Sequence, residues 1–243
     1  VRFMSRLSRA GNVPPLVVVL ALAVAAVVAA VSVLVAASAA EDDASEMPGN
    51  ASPEAGFARD MMMHHAQAVE MALIVREKSD DPELRALAYD IATSQQQQIG
   101  QMYAWLEFWG LPQTSDRPPM AWMKGGEDML LPDGRMPGMA SEADLARLRK
   151  AEGVAAEKLF LRLMIAHHTA GVHMAQGVLD VTDRPEVTTL ARAIARSQQA
   201  EIRVMRDLLA ARGGAPSDPG SPTSPSPSEG SGDMSGHDMS SMG

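Results

Sequence analysis

Cysteine is absent from the 243 residues, and aromatic side chains are scarce: four Phe, three Trp and two Tyr. Without a thiol the chain cannot form a disulfide framework, a zinc ribbon, a thiolate iron–sulfur site or a cysteine nucleophile. Few aromatics, with 46% hydrophobic residues that are largely Ala, Val, Leu and Met, point away from a β-sandwich and towards helices. A basic stripe is also missing. The formal net charge is −9, but residues 1–40 carry +3, 41–53 carry −4 and 214–243 another −4, so the stretch 54–213, with 18 Lys+Arg against 22 Asp+Glu, is only −4. Nothing there matches the footprint of a phosphate backbone, and nucleic acid is not an expected partner. His-Glu-x-x-His, a Gly-rich phosphate loop and a Gly-x-Ser-x-Gly elbow are all lacking.

One long apolar run is present. Arg2, Arg6 and Arg9 precede an uncharged stretch from Leu16 to Ala37, 22 residues, whose last residue opens Ala-Ser-Ala-Ala (37–40), ahead of an acidic cluster. At about 1.5 Å per residue it just spans a bilayer core of about 30 Å. The basic flank places everything after Ala40 across the membrane. Residues 1–40 therefore read as a signal anchor, or as a signal peptide cut near Ala39 or Ala40, and both put 41–243 outside the cytoplasm, in a periplasm or at the cell surface. Residues 41–53 read as a linker, 54–213 as the folded part, and 214–243 as a disordered Gly/Pro/Ser tail.

The folded part repeats itself. Residues 54–110 align without a gap on 157–213, with 24 of 57 positions identical, among them His64/His167, His65/His168, Met61/Met164, Met71/Met174, Pro82/Pro185 and Gly110/Gly213. Each copy reads as two helices broken at Ser79-Asp-Asp-Pro82 or Thr182-Asp-Arg-Pro185, with Pro opening the second helix and Gly following it. A helical hairpin cannot bury its apolar stripe alone, so two copies predict an all-α four-helix bundle. The connection 111–156 carries Met120, Met123, Met129, Met136 and Met139, and a short helix expected to open at Ser141 with Asp144 in a capping box.

Methionine is what the sequence has in excess, 18 residues. On the first helix of each copy, Met61, His64, His65 and Met71, and likewise Met164, His167, His168 and Met174, share a stripe with small residues. Adjacent histidines point about 100° apart, so His64 and His167 are expected nearer the centre and His65 and His168 at the edge. On the second helices Gln95, Gln98, Gln198 and Glu201 lie on otherwise apolar faces. Either they orient ligating imidazoles from outside the ligand set, or they sit at the rim facing water.

Four imidazoles and four thioethers at matched spacing favour a metal site over inert core, although Met62 and Met63 rotate off the face. Thioether with imidazole suits Cu(I), and by the same softness Ag(I), better than Zn, Fe, Mn, Mg or Ca. Neither copy contains the Glu-x-x-His of a di-iron bundle. Met234, His237, Met239 and Met242 repeat the theme in the tail as further candidate ligands.

At these Met-x-x-His-His-x-x-x-x-x-Met stripes, in Phe160–Ala175 and in Met136-Pro-Gly-Met-Ala-Ser-Glu142, the chain resembles family 305 of the bacterial domains of unknown function, over about 54–213. The resemblance implies a ferritin-like four-helix bundle and a periplasmic copper-binding protein linked to copper tolerance. By position it points to the same eight His and Met residues, and to Glu201, where the first copy has Gln98. The leading expectation is an extracytoplasmic protein that sequesters or hands over Cu(I), with a copper-delivery partner or a second copy of itself as possible partners besides the ion. The alternatives are a ferritin-like metal oxidase, and a Met-rich oxidant scavenger or interaction bundle without metal.

Overall fold

The computed structural model describes residues 47–214, and every regular element among them is helical. The order is α1 (Pro53–Lys78), α2 (Pro82–Phe108), a single 3-10 turn at Glu127–Met129, α3 (Glu142–Lys150), α4 (Gly153–Leu179) and α5 (Pro185–Ala211). The expected all-α class stands. The apolar run 16–37 and the tail 215–243, with Met234, His237, Met239 and Met242, lie outside the described residues. Among the described residues, no helix is long and apolar enough to cross a membrane.

Local chemistry fixes the helix ends. Ser52 accepts a hydrogen bond from the Ala55 N–H at 3.2 Å, with Pro53 in the first turn of α1. Asp81 caps α2 through the Glu83 and Leu84 N–H groups at 2.8 and 3.1 Å, with Pro82 following. Gly110 and Gly213 take left-handed φ values of +67° and +65° just beyond α2 and α5. Ser141 and Asp144 form the reciprocal capping box that opens α3.

Helix α1 packs on α2, α4 packs on α5, and the two hairpins join along α1 and α4, while α2 and α5 barely meet. The two helices that carry paired histidines are thus the shared centre. The buried apolar residues around them fall into two clusters. One contains Met71, Met164, Phe160 and Met205, and the other Met61, Met174, Phe57, Met102, Met120 and Met136.

The copies grip each other's ends in matching ways. Ser79, after α1, donates to Glu157 of α4 at 2.5 Å, and at the equivalent places Thr182 donates to Glu54 of α1. Arg212 adds bonds to Glu157 at 2.6 Å and to Asp81 at 2.7 Å, tying the end of α5 to both hairpins.

The connection is pinned to the helices at several places. The buried carboxylate of Asp60 accepts the Met120 N–H and the Trp122 Nε1–H, both at 2.7 Å, and Trp122 meets Phe57 edge-on at 5.6 Å. Further on, Gln67 of α1 pairs with the Ala140 backbone in both directions: its amide N donates to the carbonyl at 3.0 Å, and its Oε1 accepts the N–H at 2.7 Å. Between these anchors Gly138, at φ +75°, lies so close to α4 that a Cβ there would stand 2.6 Å from the Ala166 carbonyl oxygen and 2.7 Å from Ala170 Cβ. Residues 136–140 therefore form a strap across the α1/α4 seam.

Candidate metal centre

Helical spacing sends the two members of each His pair in different directions. His64 and His167 face each other across the α1/α4 seam, ring centroids 3.7 Å apart and planes tilted by 32°. His65 instead turns to α2, where its Nε2 lies 2.7 Å from Gln98 Oε1. His168 makes the equivalent contact with α5, its Nε2 2.7 Å from Glu201 Oε2. All four imidazoles are 0% exposed, so His65 and His168, expected at the edge, are as buried as the central pair. The second helices close over them.

These partners settle where the protons sit. A carbonyl or carboxylate oxygen can only accept, so His65 and His168 both donate from Nε2–H, and in the neutral ring the lone pair then lies on Nδ1. His64 does the same, at a longer 3.4 Å, towards the Pro137 carbonyl of the strap. The Nδ1 atoms of His64, His65 and His168, and both ring nitrogens of His167, have no hydrogen-bond partner. Buried polar atoms without partners are costly, about 1–3 kcal/mol each, and rare in folded proteins. Here five belong to four neighbouring imidazoles.

Burial keeps His64, His65 and His167 neutral. Loss of water pushes His64 down to about 3, helped by the neighbouring His65, and pushes His65 down to about 4 against the opposing bond to Gln98. His167 falls well below its ordinary value for the same reason, reinforced by His64 and His168. Glu201 lies below the usual carboxylate range; burial alone would raise it, but bonds from His168 and Ser197 outweigh that. Neutral imidazole with a free lone pair is the form that ligates a metal.

The thioethers flank the imidazoles along the helix axes. Met61 and Met71 are ten positions apart on α1, about 15 Å of helix, with His64 and His65 between them. Met61, Met71 and Met164 are wholly buried and Met174 is 1% exposed. Met61 and Met174, from different copies, share one apolar cluster, and Met71 and Met164 the other. The pseudo-twofold between the hairpins thus places a thioether pair on each side of the imidazole layer. Among the described residues no group of three or more His, Asp or Glu side chains is disposed to hold an ion. The donors present are imidazole nitrogens and thioether sulfurs, which fits a soft ion and not an oxygen-seeking one.

Gln98 and Glu201 orient imidazoles, one of the two roles open to them in the sequence. Gln95 and Gln198, on the same faces, are buried, but neither Gln95 polar atom nor Gln198 Oε1 has a partner. The strap was not foreseen: Pro137 receiving His64, Gly138 against α4, and Gln67 holding Ala140. Its only sequence trace is the Pro-Gly pair between Met136 and Met139, a turn signal that does not say what the turn covers.

The family profile "Domain of unknown function (DUF305)" matches residues 54–209. No curated protein matches the chain. Among solved structures, a DUF305 protein from Streptomyces coelicolor, provisionally designated secreted, is 46% identical with a TM-score of 0.65, covering 70% of this chain and 99% of its own. A DUF305 fragment from Deinococcus radiodurans is 40% identical with a TM-score of 0.54, covering 65% and 96%. The Cu(I)-bound form of CopM is 28% identical with a TM-score of 0.51, covering 66% and 96%, and CopM has also been solved with Ag and with Cu(II). With its duplicated His-His stripes inside the matched segment, the chain belongs to the DUF305 family.

Proposed function

We propose that this protein binds Cu(I), and Ag(I) by the same chemistry, outside the cytoplasm, and holds or transfers the ion without turning it over. The observation that carries the reading is the buried layer of four imidazoles with five unpartnered nitrogens, stacked across the seam of a duplicated, ferritin-like bundle and bracketed by Met61, Met71, Met164 and Met174. CopM supports it as a relative of similar fold solved with copper and silver. The secreted designation of the Streptomyces coelicolor protein, and the basic–apolar N-terminal segment, support the location. Full burial favours holding an ion over catalysis, which needs a position open to a second reactant.

Competition titration of Cu(I) against a chromophoric chelator tests the reading in the wild type and in His64→Leu/His167→Leu, with helicity checked by circular dichroism. Loss of the tightest site in a folded variant is expected. Equal affinity in the two proteins would leave the buried layer without a role in binding.

A further inference from the structure

The imidazole layer has no exposed atom, yet a cleft of about 400 Å³ opens on the adjoining face of α4. Its walls include Met120, Met129, Met174, His173 and the strap residues Pro137 and Gly138. Met120 and Met129 come from the connection, and neither belongs to the imidazole layer. His173 is exposed at the edge. None of the lining residues is a carboxylate, so a hard divalent cation finds nothing to neutralise it, whereas a polarisable monovalent ion finds thioether and imidazole.

Two features mark the cleft as built. Met120 is the one non-glycine described residue with a positive φ, +65°, a strained conformation that persists only where its surroundings enforce it. Asp60 enforces it, accepting both the Met120 N–H and the Trp122 Nε1–H. In addition, the cleft shares residues with the buried layer. Ala170 and Met174 follow His167 on the same stripe of α4, Met174 about 10 Å along the axis, and the Pro137 carbonyl that receives His64 belongs to the cleft wall.

We propose that this cleft is a second soft-ion site, an outer station where Cu(I) or Ag(I) is taken up by Met120 and Met129 with Met174 and His173, before it passes beneath the strap to the imidazoles. The proposal rests on the copper reading above. It assigns separate work to connection methionines that the buried layer does not use.

The test uses the full chain with 13C-labelled methionine methyl groups and 15N-labelled histidine, titrated stepwise with silver nitrate and assigned through single Met→Leu variants. The Met120 and Met129 methyl signals are expected to shift on silver binding, and the imidazole Nδ1 signals report the buried layer separately. Unmoved Met120 and Met129 methyls overturn the outer station, whether or not the Nδ1 signals move. Movement of those methyls with unmoved Nδ1 signals supports the station and removes the buried site. In stopped-flow loading, Met120→Leu/Met129→Leu is expected to slow occupation of the imidazole layer by about tenfold, or about 1.4 kcal/mol of barrier. Affinity there is expected to change less than the loading rate, because neither side chain belongs to the imidazole layer. An unchanged loading rate overturns the relay.

Discussion

At the scale of single residues, the two halves differ where it matters electrostatically. His65 donates to the neutral amide of Gln98, whereas His168 donates to the carboxylate of Glu201. Glu201 is the carboxylate facing the layer, and one monovalent cation balances its charge. A divalent ion would leave a buried positive charge uncompensated, which is expensive. Glu201→Gln is therefore expected to weaken Cu(I) binding by about tenfold, the equivalent of about 1.4 kcal/mol, and Gln98→Glu to raise affinity for Cu(II) relative to Cu(I). Paired chelator competitions in reducing and oxidising buffer read both, and an unchanged ratio in both variants would remove Glu201 from ion selection. The depressed His64, His65 and His167 values carry a second expectation. The unfolded chain binds protons at these positions below about 6.5, the ordinary histidine value, while the folded chain does not, so stability is full above that pH and falls as pH drops, towards about 3 for His64 and about 4 for His65. Each group contributes a slope of up to about 1.4 kcal/mol per pH unit. Urea denaturation of the apo protein between pH 7 and pH 4.5 should show the decline, and a flat profile would contradict neutral burial.

At the scale of elements, the strap controls access. Gly138→Ala forces a Cβ into the Ala166 carbonyl at a positive φ and should lift residues 136–140 from α4. Gln67→Leu removes both bonds to Ala140, each about 1 kcal/mol. Either change should speed release of bound Ag(I), measured by transfer to a competing thioether peptide, with little effect on helix content; release no faster than wild type would mean that ions leave by another route. This element also marks where the sequence stops being informative. The divergence of His64 from His65 follows from helix geometry, and the polar residues facing His65 and His168 stand out because Gln98 and Glu201 lie on apolar stripes. The covering of His65 and His168 was missed because it depends on how closely α2 and α5 approach. Pro137 and Gly138 were missed because a 46-residue connection with one short helix has no periodicity from which to trace its path.

At the scale of the whole molecule, Arg212 bears on how the hairpins hold together. It binds Glu157 and Asp81 at once, while the matching position in the first copy is Trp109. Arg212→Met strands the buried Glu157 carboxylate and should cost about 3 kcal/mol, seen as a lower urea midpoint and largely restored by adding Glu157→Gln; no recovery would mean that Arg212 acts through packing. Ion binding should act on the whole fold as well. Saturation at about a thousand times Kd adds about 4 kcal/mol, or about 8–16 °C in Tm for a domain of this size. Calorimetry with and without Ag(I) would measure it, and an unchanged Tm would rule out selective binding to the folded state.

The stacking of His64 on His167 has one more consequence. Because each hairpin supplies one ring of that pair and one member of each flanking thioether pair, an ion seated there bridges the two halves of the duplication and adds to the packing that already joins them. A protein nicked in the exposed stretch 114–118 would then hold its two fragments together more tightly with copper or silver bound than without, a starting point for a metal-responsive split reporter.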